Sequence, residues 1–289
     1  MISIPSKFLP AALAAAALVT LASAVATAQD AEALRRQFTI KVPQTAAAGG
    51  LADLFRGAPG TNTGTPLAFG PGMGDFFIGG GYQASTRGYK GSNGVFSDNG
   101  GDDGSISAGF GLGDATDGIG LTTVITSLST FRSGFGNRTA FSFQAFRNLN
   151  PSTAVAVGVE NAFIAGGQKT DGADSWYGVI SHVYQQPSAD MAWLKAVTVS
   201  AGVGNGRFRT TADVRKDNKT VNAFASVALL VHDQVSFIGD YTGQDVNVGM
   251  SIVPFKSFPV SITPALVDLT GTASKSPRFT IGAGVGLHF

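Results

Sequence analysis

The chain has 289 residues, a formal net charge of +1 and no cysteine. Charged residues make up 13% of the chain, whereas ordinary soluble domains have about 25%, and 39 residues are glycine. The lack of cysteine excludes disulfides, thiolate metal sites and cysteine nucleophiles. A near-neutral chain without a basic stripe also gives no indication of nucleic-acid binding.

The N-terminal residues have the parts of a secretory signal peptide. Lys7 supplies a positive charge, an apolar stretch follows over residues 13–26, and Ala26-Thr27-Ala28 places small residues at a cleavage position. We therefore expect residues 1–28 to be removed during export. An uncleaved N-terminal anchor is the alternative.

Residues 29–73 show no sustained periodicity, and the stretch 57–74 is rich in glycine, proline and threonine. Such a composition favours irregular structure. This segment is expected either to plug the lumen of the barrel described next, or to remain in the periplasm as an ordered or disordered tail.

From residue 74 onwards, apolar residues alternate with small or polar ones, which is typical of strands with one apolar face. No apolar run in this part approaches the about 20 residues that a membrane-spanning helix needs. The sequence thus predicts an all-β fold, a transmembrane antiparallel up-and-down β-barrel of about 12 strands over residues 74–289. The strands are predicted near residues 75–83, 106–112, 119–128, 138–147, 155–159, 174–184, 197–204, 221–231, 235–242, 246–252, 259–270 and 279–289.

Two further expectations concern the lengths of the connections and the regularity of one strand. If Phe289 lies at the periplasmic end, the longer connections fall on the opposite, outer side, as in outer-membrane barrels. The apolar parity of the strand at 259–270 changes at Pro264, which cannot donate to a strand ladder, so a bulge is predicted there.

The last predicted strand has one wholly apolar face that ends on an aromatic residue. This pattern resembles the C-terminal assembly signal of bacterial outer-membrane proteins, which implies recognition by the barrel-assembly machinery. Two other stretches, 202–208 and 240–268, resemble predicted outer-membrane barrels from cyanobacterial genomes; that resemblance implies the fold and the location but no activity. The residues of the signal are Phe279, Ile281, Val285, Leu287 and Phe289.

Three acidic residues, Glu160, Asp240 and Asp268, fall on the parity of the lumen. If their carboxylates converge, they would bias a channel towards cations. The alternative is a structural ion pair with Arg147, Arg278 or another cation of the lumen.

One predicted outer loop carries a cluster of basic residues that would either contact lipopolysaccharide phosphates or remain solvated. The acidic, glycine-rich stretch 98–104 matches no calcium-loop spacing, so no metal site and no cofactor are assigned. The basic residues are Arg207, Arg209, Arg215, Lys216 and Lys219.

Ser181 and His182 are adjacent in the sequence, but neighbouring residues on a strand point to opposite faces and cannot pair as nucleophile and base. There is also no G-x-S-x-G elbow, so we expect no enzyme activity. Two functions remain for an exported barrel surrounded by outer-membrane lipid. The first is a passive pore for small solutes with little charge selectivity, which the small residues on the lumen parity favour. The second is a non-conducting barrel that is structural or serves as a partner in export or envelope assembly.

Overall fold

The computed structural model describes residues 58–86, 88–90, 95–97, 101–166, 174–185, 193–255, 258–272 and 276–289. The predicted signal peptide, most of the predicted irregular segment and part of the acidic stretch lie outside these residues.

Twelve antiparallel strands form a closed barrel, which confirms the predicted fold class and strand number. The short strands β2 and β3 pair only with each other, in the connection that follows β1. The strands are β1 (Asp75–Gln83), β2 (Gly88–Lys90), β3 (Val95–Ser97), β4 (Asp103–Gly113), β5 (Gly120–Ser127), β6 (Thr139–Asn150), β7 (Thr153–Ala165), β8 (Ser175–Gln185), β9 (Ala196–Gly204), β10 (Asn222–His232), β11 (Val235–Tyr241), β12 (Val246–Ile252), β13 (Val260–Val267) and β14 (Arg278–His288).

The first and last strands close the barrel. All nine residues of β1 pair with β14 on one side, and β1 pairs with β4 on the other. Each remaining barrel strand pairs with its neighbours in the chain. The sheet therefore has no free edge, and every barrel strand has a hydrogen-bonded neighbour on both sides.

The alternation of the sequence sorts side chains between the two faces of the sheet. In β9, Thr198 and Ser200 are buried inside the barrel, whereas Val199 and Val203 are exposed on its outer surface. Exposed apolar residues recur around the barrel, and a continuous surface of this kind is the lipid-facing band of a membrane-spanning barrel. They include Ile78, Phe110, Leu121, Ile125, Ile180, Val227, Phe237, Val248, Leu266 and Phe279.

Among the described residues, none of the helices is long and apolar enough to cross a membrane. The helices that the described part of the chain contains are short and lie in connections between strands: α1 (Thr130–Ser133), α2 (Thr211–Arg215) and a 3-10 turn at Gly206–Phe208.

We call the rim where β1 begins the proximal end and the opposite rim the distal end. The two longest connections, residues 84–102 and 205–221, lie at the distal end, and both helices lie there too. The predicted difference between the two rims is therefore present.

The prediction of a bulge at Pro264 is wrong. β13 keeps a single register with β14 from Val260 to Val267, and its pairs with β12 on either side of Pro264 also share one register. Because proline has no N–H, the ladder to β12 is interrupted without an inserted residue. Pro264 lies opposite Ile281 on the outer face.

A charge placed on the outer face tests whether that face contacts lipid. Val199→Arg, near the middle of β9, should lower the free energy of unfolding by about 2–4 kcal/mol, whereas Val221→Arg, just before β10, should cost about 0–1 kcal/mol. Urea unfolding of the barrel in lipid vesicles measures both values. Equal costs at the two positions would contradict a lipid-facing β9.

Candidate functional site: the barrel lumen

Residues 58–74 run inside the barrel, and we call them the intraluminal loop. The loop begins near the proximal end, where Gly60 contacts two neighbouring strands. Its N–H donates to Ser251 Oγ of β12 at 2.7 Å, and its carbonyl oxygen accepts from Ser236 Oγ of β11. The small polar residues on the inner face of these strands thus bind the backbone of the loop.

The second arm of the loop returns to the proximal end. Halfway along the barrel, the N–H of Ala68 donates to Ser181 Oγ of β8 at 2.9 Å. At the end of the arm, the N–H of Met73 donates to the carbonyl oxygen of Gly113 at 3.2 Å. The loop therefore enters and leaves at the same rim, and its turn lies at the distal end of the lumen.

The turn of the loop is held by one buried carboxylate. Oδ2 of Asp240 accepts hydrogen bonds from the N–H of Thr63 (3.0 Å), its hydroxyl (2.7 Å) and the N–H of Gly64 (2.7 Å). Oδ1 accepts from Asn247 Nδ2 at 2.7 Å. Hydrogen bonds to a charged group contribute about 1.5–3 kcal/mol each, so this contact is a strong anchor for the loop.

Arg207 holds the turn from the opposite direction. Its Nη1 donates to the carbonyl oxygen of Gly64 at 2.6 Å, while Nε and Nη2 donate to the two carboxylate oxygens of Glu160, the latter at 2.7 Å. Burial works against the charge of this guanidinium, but the Glu160 carboxylate together with Tyr177 and Asp240 outweighs it, so the pKa of Arg207 is raised above its ordinary value. Arg207 therefore stays charged at any physiological pH.

Of the three acidic residues singled out in the sequence, two join one network through their carboxylates and the third joins it through its backbone. Glu160 and Asp240 meet at the turn of the loop through Arg207 and Gly64. Asp268 is fully buried, and its N–H donates to the Asn247 side chain that also binds Asp240.

The ion-pair partner of Glu160 is Arg207, and not Arg147 or Arg278, which the sequence analysis names as alternatives. Arg278 lies 3.5 Å from Asp245 instead. Arg147 lies opposite Val155, on the outward parity of β6.

Aromatic side chains fill the lumen beside the loop, although the sequence predicted a lumen lined mostly by small groups. The rings of Phe208 and Phe224 lie 4.6 Å apart, and Tyr177 lies 6.0 Å from Phe208. Phe146 and Phe69 belong to the same cluster. This part of the lumen is closed by side chains.

The sequence places a glycine in the strand next to two of these inward aromatics, but each pair can be matched only once the register between the strands is known. Phe146 lies opposite Gly120, and Phe224 lies opposite Gly202. A Cβ at Gly120 would lie 2.4 Å from the Phe146 ring, so each ring occupies the space that its glycine partner leaves. An aromatic residue on the small-residue parity, opposite a glycine, therefore indicates a ring inside the barrel.

The other part of the lumen contains a cavity of about 440 Å³. The cavity lies between the start of the intraluminal loop, at Ala58 and Gly60, and the inner faces of β13, β14, β1 and β4. None of the described residues that line it carries a charged side chain. Its polar and small wall residues include Gly79, Gly81, Ser105, Ser107, Ser261, Thr263, Gly282 and Gly284.

A pair of polar side chains lies at each end of β14. At the proximal end, His288 Nδ1 is 2.7 Å from Asp75 Oδ1, and the other oxygen of Asp75 accepts from the N–H of Gly72 at 2.6 Å. At the distal end, Arg278 faces Asp245. The sequence did not single out these pairs as functional, because each lies in an otherwise ordinary strand end or turn.

The basic residues of the connection 205–221 do not act as one cluster. Arg207 points into the lumen, so the expectation that it contacts lipopolysaccharide is wrong. Arg209 donates to the carbonyl oxygen of Asn218 at 2.9 Å and lies 3.5 Å from Asp217. The three exposed residues that remain are Arg215, Lys216 and Lys219.

The residues of the predicted assembly signal lie on the outward face of β14. Phe279 is exposed there, and Phe289, just beyond the strand, is 86% exposed. Ile281, Val285 and Leu287 are partly covered by neighbouring strands. Recognition by the assembly machinery remains a prediction.

No protein-family model and no curated protein matches the chain. Solved structures with a similar fold include the COG4313 outer membrane channel from Pseudomonas putida F1, with 11% identity, a TM-score of 0.43 and coverage of 79% of this chain and 100% of that one. The outer membrane protein Omp33 of Acinetobacter baumannii has 9% identity and a TM-score of 0.37, with coverage of 74% and 98%. The toluene transporter TbuX of Ralstonia pickettii has 12% identity and a TM-score of 0.34, with coverage of 87% and 100%. Likenesses this distant carry no inference about function.

A methyl group added to the wall tests the contact between the barrel and the loop. A Cβ at Gly111 would lie 2.2 Å from the carbonyl oxygen of Pro71, so Gly111→Ala should push the loop away and cost about 1–3 kcal/mol. Hydrogen exchange should become faster in peptides from residues 58–74. Gly178→Ala is the matched control, because a Cβ there meets nothing within 4 Å; equal exchange in the two variants would contradict the contact.

Proposed function

We propose that the protein is an outer-membrane pore for small solutes with little charge selectivity. The observation that carries this proposal is the cavity beside the intraluminal loop. It spans the inner face of β1 from Phe77 to Gly81, and solutes would move between the loop and the four strands β13, β14, β1 and β4.

The chemistry of the cavity wall supports passage rather than tight binding. Glycine, serine and threonine offer hydroxyl groups and open space but no charge. A tightly bound solute would leave slowly, whereas conduction requires sites weak enough to release it. Small uncharged polar solutes and hydrated ions fit such a wall.

The outer-membrane location is supported by the apolar outer face and by the difference in length between the connections at the two rims. We further propose that residues 1–28 direct export and that the β14 signal recruits the assembly machinery. Phosphates of lipopolysaccharide would meet the exposed residues Arg215, Lys216 and Lys219.

A second candidate, a non-conducting barrel with a structural or assembly role, is favoured by the filled part of the lumen. The intraluminal loop and the aromatic cluster occupy that part, and both are held by buried contacts. The two candidates differ in whether the cavity joins the two openings of the barrel.

Single-channel recording separates these candidates. The chain refolded from residue 29 onwards, with barrel formation checked by heat-modifiable migration on a gel, should give steady conductance steps in a planar bilayer. A folded barrel that gives no steps would favour the non-conducting alternative.

Cysteine labelling locates the route, since the natural chain has no cysteine. Gly282 lines the cavity, and a Cβ there would meet its first neighbour at 3.9 Å, so Gly282→Cys should be tolerated. A charged methanethiosulfonate reagent should then reduce the conductance. Gly178→Cys, on the outward face of β8, should be insensitive; block of the Gly178 variant alone would place the route elsewhere.

Ion selectivity follows from the uncharged wall. In a potassium chloride gradient, the reversal potential should stay close to zero, because no charged side chain lines the cavity among the described residues. A reversal potential near the potassium equilibrium value would instead assign selectivity to Glu160, Asp240 and Asp268.

A further inference from the structure

We propose that the intraluminal loop is the size filter of the pore, and that Asp240 and Arg207 are the positioning residues that set its limit. This inference rests on the proposed function. Ala58 and Gly60 of the loop form one wall of the cavity, and the strands form the other. The position of the loop therefore fixes the width of the route.

The loop is held by side chains and not by strand pairing. Its one bridge with a barrel strand joins Met73 to Gly111, close to the proximal rim. Elsewhere along the loop, its backbone binds Ser251, Ser236 and Ser181 through their hydroxyl groups and Gln144 through its side-chain amide. Single neutral hydrogen bonds contribute about 0.5–1.5 kcal/mol, so these contacts align the loop but hold it weakly.

The charged side chains that hold the loop, Asp240 and Arg207, contact it at the turn. Asp240 accepts both N–H groups of Thr63 and Gly64, and Arg207 donates to the carbonyl oxygen of Gly64. The negative carboxylate thus binds the two backbone N–H groups of the turn, and the positive guanidinium binds its carbonyl oxygen. This arrangement fixes the turn in position and in orientation.

The turn is also a close fit. A Cβ at Gly64 would lie 3.1 Å from Asn247 Nδ2 and 3.1 Å from Thr242 Cγ2. A Cβ at this position would require both neighbouring side chains to shift by a few tenths of an ångström, so the wall lies close around the turn.

Arg207 reaches the turn because its own connection is anchored. Its carbonyl oxygen accepts from Gln244 Nε2 at 2.9 Å, and its N–H donates to Ser175 Oγ at 3.0 Å. Glu160 holds the guanidinium in the plane that faces Gly64. The position of Arg207 therefore depends on β7, on β8 and on the connection between β11 and β12, which meet at the distal end.

The first test removes the negative charge that binds the turn of the loop. Asp240→Asn should raise the single-channel conductance and let larger sugars enter liposomes in a swelling assay, because the loop is released from the wall. Asp233→Asn, which removes the same charge from an exposed pair with Lys195, should leave both readings at the wild-type value. An Asp240→Asn barrel that migrates as folded, with the conductance and sugar limit of the control, overturns the proposal.

The second test locks the loop. A Cβ at Gly60 would lie 3.5 Å from Ser251 Cβ, within the about 3.5–4.5 Å that a disulfide spans. Gly60→Cys and Ser251→Cys, combined with Asp240→Asn, should give the wild-type conductance when oxidised and the raised conductance when reduced. A raised conductance that persists in the oxidised form would assign the effect to another part of the lumen and overturn the proposal.

The two proposals fail in different ways. If the wild type is silent and Asp240→Asn conducts, the loop closes the barrel at rest: the filter stands and the open pore does not. If the wild type conducts and Asp240→Asn behaves identically, the pore stands and the filter does not. If both are silent in folded barrels, both proposals fall.

Discussion

The pairing of β1 with β14 is the constraint on which the rest of the structure depends. A sheet in a membrane must satisfy every backbone N–H and C=O group within itself, and only closure achieves this. All nine residues of β1 take part in that pairing. Once the sheet is closed, the alternation of each strand divides the side chains between lipid and lumen, and the inner face becomes available for function.

The inner face divides into two unequal parts, and the division follows from side-chain volume. Where Phe146, Tyr177 and Phe224 point inwards, the rings and the intraluminal loop exclude a route. Where glycine faces glycine, as at Gly79 and Gly284, nothing projects from the wall and the cavity remains. A barrel of this size thus has a fixed amount of space, and the sequence distributes it by placing large residues on one set of strands.

Strands could be predicted from the sequence because periodicity is a local property. The strand at 75–83 was predicted to the residue, and β12 and β14 to within one residue at each end. A bulge is wrongly predicted at Pro264 because a proline in a strand and an inserted residue both interrupt the apolar alternation of the sequence, although only the insertion shifts the register. The loop inside the lumen and the Glu160–Arg207 pair could not be placed, since both depend on contacts between segments far apart in the chain. For Glu160, Asp240 and Asp268, strand parity predicts the face of the sheet but cannot predict the hydrogen-bond partners.

The buried charges and the intraluminal loop explain each other. A carboxylate taken out of water needs several donors, and a backbone turn taken out of water needs acceptors. Asp240 and the Thr63–Gly64 turn meet both needs at one place. The twelve strands, by contrast, pair with one another around the whole barrel, and the loop adds one bridge to them, between Met73 and Gly111. The barrel is therefore closed by its own strands, and a shift of the loop within the lumen leaves the pairing between those strands in place.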